Sequence, residues 1–293
     1  MMKIRKIISF LKKTYRKIDK RRRINTYLKT REPWSIGYAE YKMDLISTYL
    51  YQEQVLCYFR KNNLPDLYGY GVDERIIEYP WLLANINPLH KIILDAGSTF
   101  NYEYIINHPL LVKKNIFIQT FSPELENFNH KRISYIYGDL RDLLFKDSVF
   151  DTIICQSTLE HIGMDNAIYG WNESNNNTRL QNKDYLIVVT QLIRVLRTNG
   201  ELFFTFPYGK YQNHGFFQQF NREMLDEIIK LIVQFGEVIK IDFFKYYSNG
   251  WCFSTQEETD SCESFNPHTG IGKMSDGAAH SRAICCIKFL KSK

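Results

Sequence analysis

The sequence predicts an α/β protein with a mostly parallel sheet that helices cover on both faces. From residue 91 onward, short apolar runs alternate with longer segments whose apolar residues recur at helical spacing. Strands that alternate with helices are typical of parallel sheets, because a crossover helix returns the chain to the same end of the sheet. Five runs predict the first strands: 91–95, 115–120, 133–137, 150–155 and 201–206.

Two later segments predict the helices that pack on this sheet. They cover residues 184–197 and 221–235, and both repeat apolar residues at helical spacing. Asp184 and Asn221 stand at their starts, where short polar side chains can accept hydrogen bonds from free backbone amides. The polar, Asn-rich segment 170–183 before the first helix predicts a mobile loop.

Two apolar runs near the C-terminus, 237–244 and 282–290, complete a predicted sheet of seven strands. Cys285 and Cys286 are adjacent in the second run, so we expect them to point to opposite faces of the sheet. The six cysteines form no CxxC pair and no ligand spacing. We therefore expect reduced thiols in a cytoplasmic protein, and no metal motif such as HExxH is present.

The part of the chain before the first strand divides into two predicted segments. Residues 24–90 predict a helical N-terminal extension or lid, and residues 91–293 hold the α/β domain. Residues 1–23 form a separate basic arm, with eleven Lys and Arg against one acidic residue, Asp19. The remaining 270 residues hold 27 basic and 31 acidic side chains, a net charge of −4. This balance argues against a broad nucleic-acid-binding face on the globular part.

The basic arm predicts an amphipathic helix that lies on an anionic membrane surface, at the inner face of the membrane. Two other interpretations stay open. The apolar stripe would otherwise pack on the body or on a partner subunit, or residues 20–23 would contact nucleic acid. The stripe consists of Ile4, Ile7, Ile8, Leu11, Tyr15 and Ile18.

The first motif with chemical meaning is ILDAGSTFN, residues 93–101. A buried strand ends at Asp95, and Gly97 follows at once. Glycine lets a ligand approach the backbone closely at the turn that leads into the next helix. The spacing is not GxGxxG, so the motif does not favour a dinucleotide pyrophosphate.

Further motifs follow in a fixed order. Asp139 comes just after the third strand, Phe150-Asp151 opens the fourth, and the segment STLEH, 157–161, ends it. Residues 194–209 then supply the end of a helix, an Asn-Gly turn and the fifth strand. In this order the motifs resemble the class I S-adenosylmethionine-dependent methyltransferases, over roughly residue 73 to the C-terminus. The resemblance implies a Rossmann-like methyltransferase fold and S-adenosylmethionine as cofactor.

The resemblance also implies which residues contact the methionine part of that cofactor. Gly97 and its neighbours Ala96 and Ser98 would line it, and Asp95 would hold its amino group directly or through water. Ser157 would lie beneath the cofactor at the end of the fourth strand.

At the nucleoside end, the resemblance implies that Asp139 accepts a hydrogen bond from the adenine amino group. The Leu140 backbone N–H would face a ring nitrogen. One departure concerns the ribose: the family has an acid at the end of the second strand, where this chain has Thr120. Glu124 follows one turn later and would bind the ribose hydroxyls, or it would simply begin a helix.

The segments 73–83, 157–166 and 206–220 resemble a subgroup of these enzymes from bacterial surface-polysaccharide and glycan biosynthesis. This resemblance implies a sugar or glycan acceptor that is methylated on oxygen. A hydroxyl acceptor benefits from a general base, and His161 and His214 are the candidates after the fourth and fifth strands. The alternatives are that His161 braces its loop and that His214 is a surface residue.

Two other functions compete with glycan methylation. A nucleic-acid methyltransferase would use an Asn/Asp-Pro-Pro-aromatic motif after the fourth strand, where this chain has QSTLEH. A non-catalytic domain that kept the fold would have less need of Asp95, Gly97 and Asp139. Calorimetric binding of S-adenosylmethionine separates this last class from the enzymes.

Overall fold

The computed structural model describes residues 2–167 and 181–293. The predicted loop 170–183 lies outside the described residues, apart from its last three. In the described chain the main sheet has eight strands, and a two-stranded hairpin, β6 and β7, lies beside it. The strands are β1 (Ile92–Ala96), β2 (Asn115–Thr120), β3 (Ile133–Tyr137), β4 (Phe150–Gln156), β5 (Leu196–Pro207), β6 (Gln212–Asn213), β7 (Gln218–Gln219), β8 (Gly236–Tyr247), β9 (Gly250–Ser254) and β10 (Ala283–Lys291).

The order of strands across the main sheet is β3-β2-β1-β4-β5-β10-β8-β9. The first five of these run parallel to one another, and β10 runs antiparallel to β5 and to β8. This order confirms the predicted Rossmann-like methyltransferase fold. All seven predicted strands are present, and the eighth, β9, pairs with β8 through a tight turn between Tyr247 and Gly250.

Helices cover the sheet on both faces, as predicted. The described α-helices are α1 (Met2–Thr30), α2 (Tyr38–Leu50), α3 (Glu53–Arg60), α4 (Arg75–Asn85), α5 (Glu103–Ile106), α6 (Tyr185–Val195), α7 (Arg222–Ile232) and α8 (Gln256–Thr259). On one face α2 to α5 pack on side chains that include Ile93 and Cys286. On the other face α6 and α7 pack on Leu94 and Cys285. The adjacent cysteines therefore point to opposite faces, which confirms the expectation from the sequence.

The predicted N-terminal cap is present at α7 but absent at α6, and α6 ends earlier than predicted. Asn221 caps α7, and its side-chain oxygen accepts from the Met224 amide at 3.0 Å. Asp184 precedes α6 but forms no capping bond, because its carboxylate instead accepts from Arg141 at 2.8 Å. The helix ends at Val195 rather than at residue 197, since the next residue already belongs to β5.

Helix α4 continues through Pro80, which lacks the amide that a helix interior normally uses. The carbonyl left without this partner belongs to Ile76, four residues earlier. The buried Tyr68 hydroxyl donates to that carbonyl at 3.1 Å. A side chain thus satisfies the group that proline frees, and α4 keeps its course past the sheet.

Candidate functional site

A cavity of about 550 Å³ opens at the carboxyl ends of the parallel strands. Its floor consists of residues that end or follow β1, β2, β3 and β4, among them Gly97, Thr120, Gly138 and Ser157. Ligands of open α/β sheets bind at this edge. The volume lies within the range of about 300–1,000 Å³ that is usual for small-molecule sites.

The turn after β1 and the turn after β4 approach each other closely at Gly97. Its φ is +121°, and a Cβ built there would lie 2.1 Å from Thr158 Oγ1. The Gly97 amide donates to the Gln119 carbonyl at 2.9 Å, which ties the turn to β2. No other residue fits this position without moving the floor of the cavity.

Asp95 is fully buried under this turn and is not among the described residues that line the cavity. Its carboxylate accepts from the Phe100 amide at 2.7 Å and from the Thr99 amide and hydroxyl at 3.1 and 3.0 Å. Burial raises the pKa of Asp95 to about 6, although these hydrogen bonds act to lower it. The carboxylate thus fixes the shape of the loop that lines the cavity.

Two buried polar atoms in the cavity wall have no hydrogen-bond partner in the described chain. They are the Ser98 hydroxyl and the Gln119 side-chain oxygen. Ser98 and Ser157 also have positive φ values, 61° and 39°, which cost non-glycine residues of order 1–3 kcal/mol. Unpaired polar atoms and strained backbone at one cavity indicate a ligand site.

Glu124 lies in the cavity wall after β2 and begins no helix in the described chain. Asn101 is buried and donates from its amide nitrogen to Glu124 at 3.1 Å. The same Asn101 accepts from the Tyr135 hydroxyl at 2.7 Å. This chain of contacts places a carboxylate at the cavity without an acid at the end of β2 itself.

Asp139 follows β3 as predicted, but its carboxylate faces Arg141. It accepts from the Arg141 amide at 2.7 Å and from the guanidinium at 2.6 and 2.8 Å. Its neighbours Gly138 and Leu140 line the cavity, whereas Asp139 is not among the described lining residues. The Gln119 amide nitrogen donates to the Asp139 carbonyl at 3.2 Å, so Gln119 joins β2 to this loop.

The buried carboxylate of Glu78 accepts hydrogen bonds from four side chains on the Arg75 and Ser157 side of the cavity. It accepts from the Ser157 hydroxyl at 2.6 Å and from Thr205 at 2.5 Å. Arg75 donates to it at 2.8 Å while also lining the cavity, and Gln156 donates at 3.2 Å. The network fixes Ser157 and holds one guanidinium at the cavity.

His161 lines the cavity beside this wall. Its Nδ1 lies 2.7 Å from the Phe216 carbonyl oxygen, so Nδ1 carries the proton and Nε2 is the basic nitrogen of the neutral ring. Burial lowers the pKa of His161 to about 4, and the nearby His280 and Arg75 act in the same direction. The ring is therefore neutral at pH 7.

A cluster of imidazole and phenyl rings continues from His161 away from the cavity. His214 stacks on Phe217 with ring centroids 4.5 Å apart and an angle of 9°. His280 meets the same ring edge-on at 4.9 Å, and His161 lies 6.3 Å from it. The Nε2 atoms of His214 and His280 are buried without a partner in the described chain. We call these residues, with Phe216, the histidine cluster.

Carboxyl groups stand behind the histidine cluster. The His280 Nδ1 lies 3.2 Å from Glu74 Oε1. Burial acts to raise the pKa of Glu74, but the His280 contact and the nearby Arg75 outweigh it and lower the pKa to about 2. Burial raises the pKa of the Glu160 carboxyl well above its usual range. In the described residues no group of three His, Cys, Asp or Glu side chains is placed to hold a metal ion.

The structure brings together six of the ten predicted site residues around one cavity. Asp95 and Ala96 lie beneath its floor, Asp139 faces Arg141, and His214 lies in the histidine cluster outside the lining. Sequence reasoning missed Asn101, Gln119 and the Glu74–His280 pair. Gln119 stands at the end of β2 and Asn101 in the loop after β1, so a signal was available for both, but no motif marks His280. The six lining residues are Gly97, Ser98, Glu124, Leu140, Ser157 and His161.

The chain matches no protein-family model and no curated protein. It is similar to solved structures, among them a 1,6-didemethyltoxoflavin-N1-methyltransferase of Burkholderia thailandensis with bound 1,6-didemethyltoxoflavin and S-adenosylhomocysteine. The two are 11% identical over 69% of this chain and 71% of that one, with a TM-score of 0.42.

Two other similar structures are described as a putative methyltransferase and as a cyclase. A putative methyltransferase of Bacillus halodurans is 13% identical over 71% of this chain and 95% of that chain, with a TM-score of 0.42. The [4+2]-cyclase SpnF is 15% identical over 69% and 74%, also with a TM-score of 0.42. The chain therefore has the Rossmann-like methyltransferase fold, and this assignment depends on the order of its strands.

Proposed function

We propose that this chain is an S-adenosylmethionine-dependent methyltransferase that methylates a hydroxyl group of a sugar or glycan intermediate. The observation that carries the first part is the cavity at the ends of β1 to β4, with Gly97 against Thr158 on its floor. Its unpaired polar atoms and its carboxylate–guanidinium pattern fit an amino acid joined to a nucleoside.

The methionine part would lie over Gly97 and Ser98. Arg75 lines this end of the cavity and is the natural partner of a carboxylate, because a guanidinium presents several donors in a rigid fork. Asp95 acts from below by fixing the loop, since its oxygens are already engaged by Thr99 and Phe100.

The nucleoside would extend toward β2 and β3. Glu124, held by Asn101, is the acceptor for the ribose hydroxyls. The unpartnered oxygen of Gln119 is available to accept from the adenine amino group, and the Leu140 backbone faces the same end. Gln119 takes this place because the Asp139 carboxylate is engaged by Arg141.

When bound, S-adenosylmethionine supplies an electrophilic methyl group on a sulfonium, and the leaving thioether is neutral. The protein therefore contributes mainly by holding the acceptor oxygen in line with that methyl group. His161 lies at the cavity, and the hydrogen bond from its Nδ1 to the Phe216 carbonyl makes Nε2 the basic nitrogen of the ring. It can accept the hydroxyl proton, or orient the hydroxyl as a hydrogen-bond acceptor.

His280 is a second candidate for the proton acceptor. Its Nδ1 lies against the Glu74 carboxyl group, which fixes the orientation of the ring, and its Nε2 lacks a partner in the described chain. The ring contacts of the histidine cluster connect His280 through Phe217 to His161, which lines the cavity.

The acceptor class is supported by the chemistry of the histidine cluster. His161 at the cavity and the half-buried Phe216 ring stacked beside it suit a polyhydroxylated, neutral molecule, which needs hydrogen-bond partners and a stacking surface. The net charge of −4 outside the basic arm disfavours nucleic acid. A non-catalytic domain would have no use for a fixed basic nitrogen at the cavity.

Mass spectrometry of candidate glycan intermediates, incubated with the protein and methyl-labelled S-adenosylmethionine, tests the proposal. Transfer of the label to a sugar hydroxyl supports it. Label on a nucleic-acid base, or cofactor binding without transfer to any acceptor class, overturns the acceptor assignment. The absence of cofactor binding overturns the methyltransferase assignment as a whole.

A further inference from the structure

The N-terminal helix α1 joins the body through one of its faces. The buried Tyr27 hydroxyl donates to the Gly71 carbonyl at 2.6 Å, and Lys20 forms an ion pair with Asp44. Lys20 and Tyr27 are seven residues apart and so share one side of the helix. This side faces the body.

The apolar stripe occupies the opposite side. Leu11, Tyr15 and Ile18 are spaced at i, i+4 and i+7, and they are 59, 71 and 62% exposed. Lys20 follows Ile18 by two residues, which is about 200° around an α-helix. The stripe therefore points away from the body, and for these three residues the structure excludes packing on this chain.

Basic side chains flank the stripe. Lys12 and Arg21 are exposed at about 90° to either side of the stripe, and the arm holds eleven basic residues against one acidic residue. The sequence extends the stripe to Ile4, Ile7 and Ile8, whose side chains lie outside the described set. An apolar strip bordered by cations fits an apolar layer beneath a layer of negative charge.

We propose that this face of α1 binds the surface of an anionic lipid bilayer. The helix lies in the plane of the interface, with Leu11, Tyr15 and Ile18 among the acyl chains and the cations at the headgroups. None of the helices in the described chain is long and apolar enough to cross a membrane. The contact is therefore peripheral.

Two other occupants fit the face less well. A second copy of the arm would bring two strongly basic helices together, and like charges at close range repel. A nucleic-acid backbone would satisfy the cations but leave the apolar stripe in water. Only an anionic bilayer matches both parts of the surface.

Co-sedimentation with lipid vesicles tests this proposal on the full chain. We expect the protein to pellet with vesicles of phosphatidylcholine and phosphatidylglycerol, and much less with phosphatidylcholine alone. The triple variant L11S/Y15S/I18S should lower partitioning into anionic vesicles at least tenfold, because it removes the inserted side chains. The variant K12Q/R21Q should lower it by roughly fivefold per charge at low salt.

A matched control changes exposed apolar residues on the body. Leu89, Leu144 and Ile271 are 81, 81 and 69% exposed, so L89S/L144S/I271S makes a similar chemical change away from the arm and should pellet like wild type. Pelleting of the stripe variant equal to wild type, or pelleting indifferent to lipid charge, overturns the proposal. So does failure to pellet while the protein binds duplex DNA. Cofactor affinity, measured on the same samples, reports separately on the proposed function.

Discussion

Gly97 and Thr158 lie so close that a single added carbon on Gly97 would approach the Thr158 hydroxyl to 2.1 Å. The contact joins the turn after β1 to the turn after β4, on the floor of the cavity. Two strands that are adjacent in the sheet thereby share one tightly packed ligand surface.

The first prediction follows from this contact. Gly97→Ala should abolish detectable S-adenosylmethionine binding by calorimetry, because the new methyl group displaces the cavity floor. Adding Thr158→Ala should restore part of the affinity, since it removes the two closest contacts. Gly270→Ala is the matched control: that glycine also has a positive φ, 73°, but no atom lies within 4 Å of its Cβ position. Wild-type affinity in Gly97→Ala would remove the cavity floor from the cofactor site.

A second prediction separates Gln119 from Asp139 at the adenine end. Gln119→Ala should weaken cofactor binding by about 1–3 kcal/mol, roughly five- to 150-fold, by removing one hydrogen bond. Asp139→Ala should mainly lower the free energy of unfolding, because Arg141 loses its carboxylate partner. Calorimetry and urea unfolding on both variants check this. If only Asp139→Ala loses affinity and keeps its stability, the carboxylate binds adenine directly.

The ribose assignment gives a third prediction. Glu124→Gln should weaken S-adenosylhomocysteine binding about tenfold or more, because a charged acceptor for the ribose hydroxyls becomes neutral. Glu103→Gln changes a carboxylate that is 73% exposed, and should leave the affinity unchanged. Equal affinities for the two variants would exclude Glu124 from the site.

The proton acceptor is the subject of a fourth prediction. Replacing the true base among His161, His214 and His280 with Gln should lower turnover at least about a hundredfold while cofactor affinity stays near wild type. If His280 is the base, Glu74→Gln should also reduce turnover, since the Glu74 carboxyl group holds the ring in its orientation. Near-normal turnover in all three histidine variants would show that the acceptor reacts without a base from this cluster.

A fifth prediction concerns stability and pH. The pKa values of His161 and His214 are both lowered to about 4, chiefly by burial. Between pH 4 and 6.5 the two rings are protonated in the unfolded chain but neutral in the folded protein. The free energy of unfolding therefore falls as the pH falls. Between pH 7 and pH 5 each ring should lower the free energy of unfolding by about 1–2 kcal/mol. Asp95, with its pKa raised to about 6, works in the opposite direction.

Urea unfolding at pH 7 and pH 5 measures the difference in the free energy of unfolding between the two pH values. This difference is the sum of the contributions of all titrating groups. His161→Gln should lose about 1–2 kcal/mol of the pH-dependent difference, and the exposed His130→Gln serves as control. An unchanged difference in His161→Gln would mean that this ring gains its proton as easily in the folded as in the unfolded chain.

Most of the fold could be predicted because the spacing of apolar residues and the residues that begin or end helices and strands are local properties of the sequence. Strand β1, the Asn221 cap and the opposed faces of Cys285 and Cys286 each depend on a few neighbouring residues. Strand β9 was missed because it is short and gains its stability from pairing with β8. The continuation of α4 past Pro80 depends on Tyr68, which no local pattern connects to it.

The candidate site could be predicted only in part for the same reason. Gly97 and Ser157 follow strands, so their position is set by the topology alone. The partners of Asp139 and Asp95 are decided by side-chain contacts within their own loops, which redirect carboxylates that the sequence places at the ligand. His280 meets Glu74 across 206 residues, a relation that no spacing reveals.

Calorimetric titration of the full-length protein with S-adenosylmethionine tests the central claim most directly. The account predicts saturable one-to-one binding in the micromolar range, present in Gly270→Ala and lost in Gly97→Ala. A folded wild-type protein that shows no binding at millimolar cofactor would contradict it.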